Sequence, residues 1–200
     1  MKKSFLYPII FMSILTAFFT FILAFMDYST ADQIAFLQDT ELRQKILYIF
    51  DIENDSNEPE EIDKVFKAHI EEEKIDGKRY FYLVENGERV ANAFPVAGAG
   101  LWGSVEAYVG ITSDFKSLTG LDFIAHSETP GLGGRISENE FKDQFRGLNV
   151  EEVEGKNFII YRPASGGNVD AITGATLTSK SVSDFLNEDI YDYLKDRRDE

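Results

Sequence analysis

The sequence has no cysteine. That absence excludes disulfides, thiolate-ligated zinc, iron–sulfur ligation and thiol catalysis. Histidine is nearly as scarce, at His69 and His126 only, too few for a His-rich metal centre or a bis-histidine haem. Basic residues are also short: 20 Lys and Arg stand against 35 Asp and Glu, a formal charge of −15. Such a chain cannot neutralise phosphates, so no nucleic acid is a partner and an anionic membrane surface is not a target. Any redox chemistry must therefore come from a bound cofactor. The glycine-rich stretch near residue 131 lacks a Gly-Lys-Ser/Thr ending, which rules out a Walker-type phosphate loop.

One long apolar run is present, from Phe5 to Met26. At about 1.5 Å per residue it can cross the roughly 30 Å hydrocarbon core as a helix. Lys2 and Lys3 precede it, and Asp27 and Asp32 follow. The positive-inside rule then puts residues 1–4 in the cytoplasm as a short tail and the rest of the chain outside. The run is longer than a signal-peptide core, and Leu23-Ala24-Phe25-Met26 offers no small-x-small cleavage site, so we expect an uncleaved, single-pass anchor. It contains no charged residue and hence no ion pathway of its own. Ser13, Thr16 and Thr20 recur on one face that could touch other membrane helices.

Residues 27–78 are expected to form a helical connector. Ile34, Leu37, Leu42, Ile46 and Ile49 give one helical pattern and Pro59 opens a second through Ile62, Val65, Phe66 and Ile70, with His69 on or beside its stripe. Residues 79–200 follow as the main domain. Aromatic and β-branched residues from Arg79 to Glu85, then Asn86-Gly87 and a second run to Val96, predict a hairpin. Val105, Ala107, Val109 and Ile111 alternate as a strand; Leu121 to Ala125 and Asn157 to Tyr161 add two more. No long helical pattern separates the earlier strands, which argues for antiparallel pairing. Ser137 and Glu140 have capping-box spacing ahead of a short helix through Phe141 and Phe145. The expected class is α+β: one transmembrane helix, then a mainly antiparallel sheet with packed helices.

Three stretches carry candidate chemistry. Gly98 to Gly103 sets three glycines around Leu101 and Trp102, so that a backbone approaches a flat ligand closely or Trp102 plugs a core. His126 to Gly134 ends a strand in a glycine-rich turn with Glu128 and Thr129. His126 and Glu128 alternate on an extended chain with no nucleophile implied, so acid–base catalysis is not read from them. Asp170 to Ser179 places hydroxyls just ahead of a helix marked by Val182, Phe185, Leu186, Ile190, Tyr193 and Leu194. Those hydroxyls suit either N-caps or an anion held at a helix N-terminus.

Asp170-x-x-Thr173-Gly174-Ala175-Thr176 resembles the flavinylation motif of the FMN-binding domain family. That family includes the G subunit of Rnf complexes and the C subunit of the Na+-translocating NADH:quinone oxidoreductase (Nqr). Glu128-Thr129-Pro130-Gly131-Leu132-Gly133 is similar to a second family motif, and Gly100-Leu101-Trp102 to a third. The resemblance implies FMN bound covalently through a phosphoester to Thr176, with Thr173 and Thr178 as nearby decoys. It also implies cofactor contacts from Asp170, Thr173, Gly174, Ala175, Glu128, Thr129, Leu132, Gly133, Leu101 and Trp102. No catalytic side chain and no metal are implied. The expected function is an electron-carrying subunit of an Rnf/Nqr-type ion-translocating complex in the cell's inner membrane. Its partners would be the other subunits and a separate flavin transferase that makes the attachment. The competing readings are a stand-alone extracytoplasmic flavinylated carrier and a non-redox module binding FMN or a peptide.

Overall fold

The computed structural model describes residues 6–54, 56–151 and 155–198, so the expected cytoplasmic tail and Phe5 lie outside the described residues. The chain divides into two compact units, Met1–Glu41 and Leu42–Glu200. The second unit begins well before residue 79, because the connector helices and a strand at Ile70–Ile75 belong to its core and sheet.

Helix α1 (Leu6–Ile49) runs unbroken from the apolar stretch into the second pattern, where a change of element was expected. No proline or glycine falls between Asp27 and Ile49 to stop it. Within the first unit its large apolar side chains from Leu6 to Met26 are exposed, apart from half-buried Ile22. It is the one helix among the described residues long and apolar enough to cross a membrane.

In the second unit, Ile46, Leu47 and Ile49 of α1 pack with Ile62 and Phe66 of α2 (Pro59–His69). They cover one face of a five-stranded antiparallel sheet in the order β1 (Ile70–Ile75), β2 (Lys78–Glu85), β3 (Glu88–Ala99), β4 (Ser104–Thr112) and β5 (Leu118–Ala125). His69 is exposed, its Nδ1 3.0 Å from the Val65 carbonyl oxygen. Asn86 and Gly87 make the predicted turn, at φ 52° and 84°. Asp76 and Gly77 make a second one, at 49° and 81°, joining β1 to β2. Strand β1 was not foreseen, since Glu71-Glu72-Glu73-Lys74 offers no apolar alternation. It is an edge strand whose charges pair laterally, Glu72 with Arg79 at 2.6 Å and Glu71 with Arg89 at 2.9 Å.

The other sheet face presents Phe94, Val96, Val105, Ala107, Val109, Ile111, Leu121 and Phe123 to helix α4 (Thr176–Arg198). Val182, Phe185, Leu186, Ile190 and Leu194 of α4 are buried there, and the Phe94 and Tyr193 rings stack at 3.8 Å. Between β5 and α4 the chain is mostly irregular. Residues Gly133–Ser137 form a 3-10 turn, then come the one-turn α3 (Asn139–Lys142) and a second 3-10 turn at Asp143–Phe145. The expected capping box does not form. Glu138 is the N-cap residue without a side-chain bond, because Ser137 still belongs to the preceding turn and its Oγ faces His126. Only β6 (Tyr161–Arg162) is extended near the expected strand, and it pairs in parallel with β7 (Val169–Asp170).

A buried ion pair ties the irregular segment to the sheet. Lys142 Nζ lies 2.8 Å from Asp122 Oδ2 and 4.1 Å from the centre of the Tyr48 ring. Burial pushes the Asp122 carboxyl up, and Lys142 draws it part of the way back. Arg146 donates to the carbonyl oxygens of Tyr48 at 3.0 Å and Thr119 at 2.8 Å, closing the C-terminal end of α1 with a cation.

Candidate functional site

The three chemistry-bearing stretches meet at one carboxylate. Glu128 lies three residues past the end of β5 and is 5% exposed. Its Oε1 accepts the backbone N–H groups of Leu101 at 2.7 Å and Trp102 at 3.1 Å. Its Oε2 accepts the hydroxyl of Thr178 at 2.6 Å. A buried charge is costly unless it is hydrogen-bonded, and here three donors from two distant segments meet that need. Burial alone would raise this carboxyl; the bonds from Thr178, Trp102 and Leu101 outweigh it and hold the group below the usual carboxylate range.

Two glycines admit the carboxylate. A Cβ at Gly100 would stand 2.5 Å from Glu128 Oε1, and one at Gly133 would stand 2.5 Å from Oε2 and 2.6 Å from Thr178 Oγ1. His126 completes the turn. Its Nδ1 accepts the Glu128 N–H at 3.2 Å, which requires that nitrogen to be unprotonated, and its Nε2 lies 2.9 Å from Ser137 Oγ. Thr129-Pro130-Gly131-Leu132 is a turn closed by the Leu132 N–H on the Thr129 carbonyl at 3.1 Å. Gly131 takes φ 73° there, which suits the third position of a type II turn with Pro130 at the second.

The Asp170–Ser179 stretch is held at both ends of its own turn. The Ala175 N–H donates to the Ile172 carbonyl at 2.9 Å across Gly174, which takes φ 84°. Ser179, fully buried, reaches back with its Oγ to accept the Ile172 N–H at 3.0 Å. The first intrahelical bond of α4 runs from the Ser179 N–H to the Ala175 carbonyl, so Ala175 occupies the N-cap position. Alanine has no side-chain oxygen to cap with. The N–H groups of Thr176, Leu177 and Thr178 thus open an α-helix with no N-cap side chain over them.

Burial separates the three threonines. Thr178 is 1% exposed and committed to Glu128, whereas Thr173 and Thr176 are both exposed. Thr173 lines a polar groove of about 510 Å³ with Arg135, Glu138, Gln144, Arg162 and Asp170. Its two guanidiniums are already paired, Arg162 with Asp170 at 2.6 Å and Arg135 with Glu138 at 3.0 Å. Thr176 is not in that lining. Beside it stands Leu177, and beyond lie Leu132, Leu101 and Trp102. These four residues are 47% to 68% exposed and are the large apolar side chains left open outside α1 among the described residues. Leu132 packs against Gly174, while Leu101 and Trp102 are held by the carboxylate that also holds Thr178. An exposed apolar set drawn from three separate segments around an uncapped helix start suits a ligand with a flat apolar ring and an anionic tail.

The structure brings Glu128, Gly133, Leu132, Leu101 and Trp102 together with the turn from Thr173 to Thr176. Asp170 stands apart, facing Arg162 and, through its backbone, Gln144. Thr129 is exposed, and its part in the turn is played by its carbonyl oxygen. Glu128 offers its oxygens to the protein's own donors. Leu177, exposed beside Thr176, is not among the residues expected to contact a cofactor. The signal was available: it is apolar yet falls outside the stripe of Val182, Phe185, Leu186, Ile190 and Leu194.

The chain has relatives among known proteins. Residues 100–190 match a family described as FMN-binding domain. The G subunit of an ion-translocating oxidoreductase complex from Aliivibrio fischeri is 31% identical over 202 residues, covering 96% of this chain and 90% of that protein. The corresponding protein from Methanosarcina acetivorans is 41% identical over 95 residues, covering 48% of this chain and 46% of that protein. The chain spans 42% to 60% of the length of the first curated relatives it matches. Among solved structures, the C subunit of a Na+-translocating NADH-quinone reductase from Parabacteroides distasonis superposes with a TM-score of 0.64. It is 26% identical, over 78% of this chain and 91% of that one.

Proposed function

The chain belongs to the FMN-binding domain family, which contains the G subunits of ion-translocating oxidoreductase complexes and the C subunits of Na+-translocating NADH-quinone reductases. From that membership we propose that it is a membrane-anchored electron-transfer subunit carrying FMN through a phosphoester on Thr176. The observation that carries the assignment is the separation of the threonines: Thr178 is buried against Glu128, Thr173 faces a polar groove, and Thr176 stands exposed beside the apolar set. When bound, FMN supplies the one- and two-electron chemistry that no side chain here provides.

The residues present fit such a group. Thr176 Oγ would hold the phosphoryl, and the N–H groups of the first turn of α4 would favour its charge. Leu101, Trp102, Leu132 and Leu177 would offer the ring an apolar surface when the cofactor is bound. Thr173, Gly174 and Ala175 fix the approach to Thr176, and Gly133 keeps space beside Glu128. A threonine hydroxyl is a weak nucleophile, and Lys180, the nearest basic residue in sequence, pairs with Asp184. We therefore assign the attachment to a separate flavin transferase. The transferase would exchange the Thr176 O–H bond and a P–O bond of an activated flavin nucleotide for the new Thr O–P bond, releasing the donor's leaving group with the proton.

The span at the start of α1 anchors the chain in the inner membrane. Lys2 and Lys3 before it and Asp27 and Asp32 after it favour a cytoplasmic N-terminus and an extracytoplasmic domain. There a covalent link keeps the cofactor from being lost by dilution. Partners are other membrane subunits that pass electrons and move the ion.

The test is the intact mass of the protein coexpressed with a flavin transferase, beside Thr176→Ala and Thr173→Ala. An added FMN mass in the wild type and in Thr173→Ala, absent from Thr176→Ala, is the expected result. No added mass in the wild type, with the transferase active on a control protein, overturns covalent attachment.

A further inference from the structure

We infer that Glu128 sets the potential of the flavin, its buried negative charge holding the cofactor's reduction potential low. The inference rests on the attachment at Thr176 proposed above. It starts from the position of the charge. Leu101 and Trp102, two of the four exposed apolar residues that would contact the ring, are the residues whose backbone N–H groups the carboxylate accepts. Thr178, whose hydroxyl the other oxygen accepts, lies two residues after the attachment point on the same helix turn. The charge therefore sits directly behind the surface the ring would cover, on the side closed to water.

Few neighbours cancel it. His126, the residue nearest in sequence with a basic group, accepts the Glu128 N–H through Nδ1, and its field is the smallest of the influences that lower the carboxyl. Arg135, which follows in the same loop, pairs with Glu138 at 3.0 Å. Three hydrogen bonds stabilise the carboxylate without removing its charge. In a poorly solvated site a fixed negative charge opposes electrons added close by, because Coulomb interactions are damped less than in water. Glu128 thus lowers the potential without touching the reacting atoms.

The test uses the full chain loaded with FMN by a flavin transferase, with loading checked by mass and potentials read from a spectroscopic redox titration. The pH is kept well above the carboxylate range. Glu128→Gln is isosteric: its Oε1 still accepts both N–H groups and its amide can donate to Thr178 Oγ, so the charge goes while the geometry stays. Thr178→Val keeps the charge and removes one of the donors that spreads it. The expected result is a shift to more positive potential in Glu128→Gln and to more negative potential in Thr178→Val. An unchanged potential in Glu128→Gln, shifts of the same sign in both variants, or a folded Glu128→Gln that takes up no flavin overturns the inference. Should Glu128→Gln fail to fold, Thr178→Val decides alone: a negative shift supports the inference, and no shift or a positive one overturns it. A wild-type chain with no FMN mass fails earlier and separately, by removing the premise.

Discussion

Glu128 and Thr178 are 50 residues apart in sequence, and their side-chain oxygens lie 2.6 Å apart in a fully enclosed hydrogen bond. The bond links the end of β5 to the first turn of α4, and through Oε1 of the same carboxylate to the Leu101–Trp102 turn. Removing the hydroxyl by Thr178→Val leaves Oε2 without a donor, a loss of about 1–3 kcal/mol. Urea unfolding of the protein without flavin measures it. The variant is expected to retain the added FMN mass, since Thr176 keeps its exposure.

The same carboxylate makes stability depend on pH. Its folded-state value is held below its unfolded one, so the unfolded chain binds more protons and stability rises with pH. The contribution is complete above the ordinary glutamate value of about 4.3 and is lost as pH falls through the lower, folded value. Denaturation curves taken from neutral pH downward are expected to show this loss in the wild type. Glu128→Gln removes that component; an identical acid profile in the variant would contradict it.

Trp102 is the sole tryptophan and is 68% exposed, so it reports on this site alone. Without flavin its emission is expected at the solvent-exposed, red end, with efficient acrylamide quenching. Loading FMN should quench it strongly and protect it. Trp102→Ala is expected to change the stability of the flavin-free protein by no more than about 0.5 kcal/mol, because little packing is lost.

The pair Lys142–Asp122 is buried on both sides, and removing either partner leaves an uncompensated charge. Asp122→Asn is expected to cost about 3–5 kcal/mol in denaturant unfolding. Lys142→Met should cost less at low pH, because burial already pushes the Asp122 carboxyl up and the group can take a proton. A folded value above the unfolded one means stability present at low pH and lost as pH rises. Lys142→Met should therefore become less stable from about pH 3.9 upward, the unfolded aspartate value.

How much of this was readable in advance depends on the kind of signal. The Asn86-Gly87 hairpin, the alternation from Val105 to Ile111 and the stripe of α4 follow from backbone sterics and apolar period, which are local. Strand β1 was hidden because its charges pair across to Arg79 on β2 and Arg89 on β3, an arrangement between strands with no local period. Ser137 has the spacing of a cap but is drawn to His126 by a turn that the sequence does not announce. At the site, the motif residues are legible by resemblance, yet the division of labour among them is not. That Thr178 is enclosed and Thr176 open depends on where Gly133 and Glu128 come to rest, about 40 to 50 residues away in the chain.

Helix α4 starts at Thr176, just after Ala175, an N-cap residue with no side-chain oxygen to close the helix. With FMN attached at Thr176, the phosphoryl group supplies the missing closure, so the modification finishes a piece of secondary structure as well as delivering a cofactor. Maturation and folding then share one free-energy balance. The loaded protein should resist heat and proteolysis better than the unloaded one, and the difference should be greatest at low salt, where the helix end and the phosphate attract each other most strongly. The start of α4 would act as a built-in mark of completion.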